Sequence, residues 1–177
     1  MTRHDFIRGH HWIDPGNDPK EPRLLFAKEM VEMLQDGRSV DFSSGKPLAI
    51  IEENPFSSTE GSLLAFQTGG SSGKPSQVIH SADNLLHAVM GLQARVGFEP
   101  ISSVCCLPLY HLGGWMQVHR AIQTSGSVFF CSYQELAVDT FARKLEGRWL
   151  SLVPTQLYKL VKSTQALANL RKARGIF

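Results

Sequence analysis

The chain has 177 residues, 42% of them hydrophobic, and a formal net charge of +2, which suits one compact unit with a real core. Basic residues are scattered apart from a small cluster at Arg171, Lys172 and Arg174; the lack of a basic stripe with interleaved aromatics argues against a nucleic-acid partner. No apolar run approaches membrane-spanning length and the amino-terminal stretch is too polar for a secretory signal, so a cytoplasmic location is expected.

Residues 1–22 are polar, with Pro15, Pro19 and Pro22, and are expected to wrap the surface. Apolar residues at Leu24, Ala27, Val31 and Leu34 keep helical spacing and predict a helix over 24–34, closed by Asp36-Gly37. Residues 48–51 read as a short buried strand and 53–61 as a turn-rich connector. Two further strands are predicted at 63–67 and 77–80, with a glycine-rich connection between them. Ser81 is a suitable N-cap, with Asp83 in the first turn. Leu85, Leu86, Val89, Met90 and Val96 then form an apolar helix face, and Gly97 stops the helix.

Downstream, a strand at 103–107, a helix at 115–123 and a strand at 127–131 follow in turn. A helix at 136–145, a strand at 149–153 and a helix at 156–162 opened by Pro154-Thr155 come next, and Gly175-Ile176-Phe177 begin another strand. Strand and helix alternate three times, which predicts an α/β layer architecture with a largely parallel sheet flanked by helices. Residues 1–60 are expected to hold the surface segment, helix and first strand, and 61–177 the main α/β domain.

Cys105 and Cys106 are neighbours on a predicted buried strand, and the count of three cysteines is odd, so core packing is expected rather than disulfides or a catalytic thiol. The seven histidines include adjacent His10 and His11 but show no ligand spacing, and no protein-bound metal is expected.

Residues 66–77 read FQTGGSSGKPSQ. Glycines that permit positive φ, with hydroxyls between them, let backbone N–H groups and side chains approach a phosphate, and Lys74 adds charge. A Walker loop would need glycine where Thr68 stands, a hydroxyl where Pro75 stands, and a helix after it; all three tests fail. The dinucleotide fingerprint fails on glycine spacing. A Gly/Ser hairpin without a ligand is the plainer alternative.

This loop resembles the signature of the adenylate-forming enzymes, roughly T-S-G-T-T-G-x-P-K-G between two strands. Thr68, Gly70, Gly73 and Pro75 match, Ser71 and Ser72 keep the hydroxyls, and Gly69 stands for a serine. Ser76 and Gln77 replace the usual Lys-Gly. Two more blocks fit in the same order: VCCLPLYHLGG at 104–114 is similar to the family's L-P-L-F-H-x-x-G, and SLVPTQL at 151–157 to its V-P-T-x-L. Within the superfamily, the loop and LPLYHLGGW resemble o-succinylbenzoate–CoA ligases of menaquinone and phylloquinone biosynthesis.

The resemblance implies an ATP-dependent carboxylic acid–CoA ligase, with ATP, Mg²⁺ and coenzyme A as its ligands. It implies phosphate binding by Thr68, Gly69, Gly70, Ser71, Ser72, Gly73 and Lys74. It places His111 where acid, α-phosphate and coenzyme A meet, with Tyr110, Gly113, Gly114 and Thr155 about the acid. His111 as a hydrogen-bonded loop histidine and Thr155 as a helix cap are the plainer readings. The family's adenine-binding segment and C-terminal domain have no counterpart in these residues, so an amino-terminal part, inactive alone, is expected, with an unpaired sheet edge that would favour self-association. A non-catalytic nucleotide- or acyl-binding module, or a decayed copy, is the alternative.

Overall fold

The computed structural model describes residues 11–42, 62–68 and 76–177. Pro22, free of any need to donate its missing N–H at a helix start, opens helix α1 (Pro22–Gln35), and Gly37 at φ +75° ends it. Leu24, Ala27 and Val31 are buried as the spacing predicts, and Met30 joins them. The expected strand at 48–51 and connector at 53–61 lie outside the described residues.

A small mixed sheet follows. Strand β1 (Val40–Asp41) runs parallel to β2 (Leu63–Thr68), which pairs antiparallel with β3 (Ser76–Ser81). Thr68 faces Ser76 at the open end of that ladder, so residues 69–75 join two antiparallel strands. Helix α2 (Ala82–Val96) starts where Ser81 Oγ accepts from the Asn84 amide at 3.1 Å and stops at Gly97, φ +101°. Its buried residues are Leu85 and Val89, while Met90, expected on the apolar face, is exposed. Five residues past Leu85 at 100° each, position 90 has turned well away from the core side.

The second sheet has the order β5-β4-β6-β7, every pair parallel, from β4 (Ser103–Cys105), β5 (Val128–Phe130), β6 (Trp149–Leu150) and β7 (Gly175–Ile176). Helix α3 (Leu112–Thr124) connects β4 to β5 and starts three residues before the expected 115. Gly113 and Gly114, poor helix formers, hide that start in the sequence. Most of α3 is buried, including Trp115, Val118, Ala121 and Ile122, which marks it as the central helix.

Alternation along β4 sends its side chains to two cores. Cys105 joins Trp12, Phe42, Phe66, Trp115 and Phe130 on one face. Val104 and Cys106 join Leu136, Leu145, Leu150 and Leu170 on the other. Each fully buried large side chain contributes on the order of 1.5–3 kcal/mol, so a sheet covered on both faces is well supported.

The amino-terminal segment departs from expectation. Trp12 is fully buried and Ile13 bridges Val128 in parallel, so residues 12–14 lie along β5 instead of wrapping the surface. Asn17 holds them there: its Nδ2 donates to the Val128 carbonyl at 2.8 Å and its Oδ1 accepts from the Phe130 amide at 2.7 Å. Arg148 Nη2 donates to the buried Asp14 carboxylate, joining the segment to the start of β6.

The expected helix at 136–145 is also corrected. It is two 3-10 turns, Tyr133–Ala137 and Asp139–Phe141, followed by helix α4 (Ala142–Leu145). Val138 is extended, at φ −81° and ψ 136°, and breaks the run. Asn169, on helix α6 (Thr164–Leu170), holds that break by donating to the carbonyls of Leu136 and Val138 at 3.0 and 2.7 Å. Helix α6, capped by Ser163, was not expected; it follows helix α5 (Pro154–Leu160).

Candidate functional site

The parallel sheet reverses its order between β4 and β6, because the chain places β5 on one side of β4 and then returns to place β6 on the other. Open α/β sheets present a crevice outside the carboxyl ends of two such strands. Residues 106–111 leave β4 there and residues 151–155 leave β6. A weak contact from the Cys106 thiol to the Ser151 carbonyl, 3.8 Å, spans the gap. His111 and Thr155, separated by a β-α-β unit in sequence, therefore follow the carboxyl ends of adjacent strands.

His111 is the N-cap of α3 by its backbone: its carbonyl accepts from the amides of Gly114 and Trp115, each at 3.0 Å. Its imidazole makes no capping bond, is exposed, and lies tilted against the Tyr110 ring at 4.6 Å. The first amides of α3 point to the same end, where the helix dipole favours an anion.

Gly114 and Gly113 differ. A Cβ on Gly114 would stand 2.1 Å from the Pro108 carbonyl oxygen, so its bare Cα is what lets α3 fold back on the strand end. A Cβ on Gly113 would meet only Leu107 Cδ1, at 3.6 Å. The space that Gly114 leaves is thus taken by the protein's own backbone, and Gly113 is the exposed one of the two.

Thr155 is not the cap of α5. Val153 occupies that position, its carbonyl accepting from Gln156 and Leu157, and Gln156 Oε1 accepts from the Val153 amide at 3.2 Å. Pro154 sets the first helical residue and pushes Val153 to extended backbone, which moves the cap upstream. Thr155 is exposed on the first turn.

Of the phosphate-loop residues, Thr68 is described; Gly69, Gly70, Ser71, Ser72, Gly73 and Lys74 lie outside the described residues. Thr68 is exposed at the end of β2, where its Oγ1 donates to the Ser76 carbonyl at 3.1 Å. An aromatic chain links β2 to the first turn of α3. Phe66 stacks on Phe42 at 4.6 Å, and Phe42 tilts against Trp115 at 5.1 Å, in the first turn of α3. Gln77, which stands where the signature has glycine, donates to Asp41 Oδ2 at 3.2 Å across the small sheet.

Arg23 was not singled out in the sequence, and nothing local marks it. Its Nη1 donates to the carbonyls of Cys131 at 2.7 Å and Cys105 at 3.4 Å, at the carboxyl ends of β5 and β4. Its Nε donates to Glu21 at 2.7 Å, and that hydrogen bond holds the Glu21 carboxyl below its ordinary range. The three cysteines are free and buried. Burial pushes the Cys105 thiol up to about 12 and Cys106 up to about 11, and raises Cys131 as well. They are neutral packing groups and not nucleophiles at neutral pH. Among the described residues no three His, Cys, Asp or Glu side chains cluster to hold a metal, and no helix is long and apolar enough to cross a membrane.

The sequence pattern of the AMP-binding enzyme family matches residues 17–175. The fold is similar to that of an acyl-CoA synthetase (AMP-forming)/AMP-acid ligase II-like protein from Dyadobacter fermentans, with a TM-score of 0.62 and 16% identity over 89% of this chain and 39% of that one. An amide bond synthetase from Marinactinospora thermotolerans gives a TM-score of 0.53 at 23% identity, over 76% of this chain and 26% of that one. An o-succinylbenzoate coenzyme A synthetase from Bacillus subtilis, solved with ATP and magnesium, gives 0.50 at 18% identity, over 93% and 34%. The chain spans no more than 39% of the length of these three structures. No curated protein matches it.

Proposed function

This chain belongs to the AMP-binding enzyme family, and on that premise we propose that it forms the phosphate-binding and acid-facing part of an ATP-dependent carboxylic acid–CoA ligase. The observation that supports the reading is that His111 and Thr155 follow the carboxyl ends of adjacent parallel strands, β4 and β6, where the sheet order reverses.

In the proposed reaction a carboxylate attacks the α-phosphorus of ATP, releasing pyrophosphate, and the thiol of coenzyme A then displaces AMP to give a thioester. The chain's part is to hold charge and geometry. Gly69, Gly70 and Gly73 would offer amides to the phosphates, Thr68, Ser71 and Ser72 hydroxyls, and Lys74 its charge. Mg²⁺ would come with ATP. The His111 imidazole, exposed and making no capping bond, would hydrogen-bond the reacting carboxylate, with the start of α3 behind it. Tyr110 and Gly113 would border that position, Gly114 would let the start of α3 close on the strand end, and Thr155 would approach from the first turn of α5.

o-Succinylbenzoate is the first acid to test, because the double-glycine, double-serine loop and LPLYHLGGW favour that branch. The deciding experiment is titration of the chain with Mg·ATP, comparing Lys74→Ala and His111→Ala with the parent. Loss of the lysine contact should weaken ATP by roughly tenfold or more, the scale of one charge-assisted hydrogen bond. His111→Ala should weaken the acid and leave ATP nearly unchanged. ATP affinity indifferent to Lys74 sinks the phosphate-loop assignment. Pyrophosphate release with ATP, o-succinylbenzoate and coenzyme A tests turnover.

A further inference from the structure

The carboxyl-terminal part of the chain is basic in a way that the ligase reading leaves unused. Six of the 18 Lys and Arg, and none of the 16 Asp and Glu, fall in residues 147–177. Two of the six are neutralised by acids from elsewhere, Arg148 by Asp14 and Arg174 by Glu99. The other four, Lys159, Lys162, Arg171 and Lys172, are exposed and make no ion pair among the described residues.

These four belong to one layer. Leu160 of α5 and Ala166 and Leu170 of α6 are buried in the core on the Val104 face of the parallel sheet, so both helices cover that face and turn their other sides to solvent. Helix α5 carries apolar groups among its lysines. Tyr158 is 63% exposed, and Val161, the carboxyl-terminal cap, is exposed as well. Positions 158, 161 and 162 share a helix face by their i+3 and i+4 spacing, and Lys162 Nζ lies 4.0 Å from the centre of the Tyr158 ring. The acids of the same layer, Glu135, Asp139 and Glu146, sit on the 3-10 turns and at the end of α4, with Arg143 and Lys144 among them, and Glu135 is committed to Ser132.

We propose that this layer docks reversibly on a bilayer surface bearing anionic headgroups. Tyr158 and Val161 enter the interface, and Lys159, Lys162, Arg171 and Lys172 lie among the headgroups. Charge alone would serve an anionic lipid surface, a nucleic acid and an acidic protein alike, and two features decide for lipid. Val161 and Tyr158 gain only where an apolar phase adjoins the charges, which a phosphate backbone does not offer, and tyrosine is at home at headgroup level. Three of the four cations are lysines, point charges on flexible stems that protein–protein interfaces avoid. Each cation strengthens binding to such a surface by about fivefold, so four contribute on the order of several hundredfold at low salt. Docking here involves none of the residues assigned to phosphate or acid, so it stands or falls apart from the ligase reading.

The test is co-sedimentation of the full chain with vesicles of phosphatidylcholine alone and with vesicles of about three parts phosphatidylcholine to one part phosphatidylserine. Binding to the mixed vesicles should exceed binding to the neutral ones at least about tenfold at about 0.1 M NaCl, and should be lost at about 0.5 M. Lys159→Gln with Lys162→Gln, and Arg171→Gln with Lys172→Gln, should each weaken it by about 25-fold. Tyr158→Ser with Val161→Ser should weaken it severalfold at the lower salt and leave its salt dependence unchanged. Arg95→Gln, which removes an exposed cation in the last turn of α2, should bind as the parent does. Circular dichroism checks that each variant is folded. If a double variant is not, Lys162→Gln or Lys172→Gln alone takes its place, with a loss of about fivefold. Equal affinity for neutral and anionic vesicles, an Arg95→Gln loss as large as that of the lysine variants, or a folded Tyr158→Ser, Val161→Ser chain that binds as the parent does overturns the proposal. Tighter binding at the same salt to duplex DNA or to polyglutamate than to the mixed vesicles also overturns it, and assigns the layer to that class of partner.

Discussion

Replacing Gly114 by alanine is the sharpest test of how the β4–α3 turn is built. The new Cβ would lie 2.1 Å from the Pro108 oxygen, 2.7 Å from the Pro108 carbonyl carbon and 3.3 Å from the Leu107 oxygen. All three are backbone atoms, so no side-chain rotation relieves the contact. Reaching even 3.0 Å from the oxygen requires the start of α3 to move by about 0.9 Å, in a region where Trp115 is wholly buried against Phe42. Overpacking of this severity costs about 3 kcal/mol. Alanine's better helix propensity offsets about 1 kcal/mol of it, leaving a net loss of about 2 kcal/mol.

Gly113→Ala is the control one residue away. Its Cβ meets a single flexible methyl at 3.6 Å, in ordinary contact, so the helix-propensity gain of about 0.5–1 kcal/mol is kept. For a chain of this size about 2–4 °C accompanies each kcal/mol. Gly114→Ala should therefore melt roughly 4–8 °C below the parent and Gly113→Ala a few degrees above it. Scanning calorimetry and urea titration read both. Shifts of the same sign for the two variants would refute the account of the turn, since only the clash with Pro108 separates them.

Two further outcomes follow from the buried polar groups. Cys105 and Cys106 hold their protons to about 12 and about 11 in the folded chain against an ordinary 9.0, so the stability they provide is complete below pH 9 and is lost as pH rises from there toward 11–12. Ellman's reagent at pH 8 should find all three thiols only after denaturation, and rapid native-state labelling of any one would contradict the burial. Asn169→Ala removes donors from two backbone carbonyls inside the second core and should cost about 2–3 kcal/mol, read by urea denaturation; a loss below about 0.5 kcal/mol would mean that those carbonyls find water.

Several features were legible from neighbours along the chain. Ser81 and Gly97 bracket α2, Gly37 closes α1, and the glycine-hydroxyl loop sits between two strands, because caps, positive φ and strand alternation are decided within a few residues. The parallel sheet followed from the order of the elements. The motif blocks around Thr68, His111 and Thr155 were likewise visible as words in the sequence.

What the amino-acid order did not decide on its own was which distant groups meet. Trp12 and Ile13 looked like surface because their polar surroundings dominate locally, yet a free position beside Val128 drew them into the sheet. Val138 broke a helical pattern because Asn169, far along the chain, donates hydrogen bonds to the carbonyls of Leu136 and of Val138 itself. Arg23 reached the candidate site only when α1 packed across the ends of β4 and β5, 82 and 108 residues away. Helix and turn formation are local equilibria, so a sequence states them directly; the pairing of strand ends and the sheet's reversal between β4 and β6 are products of layer packing, where burial of large side chains outweighs local preference.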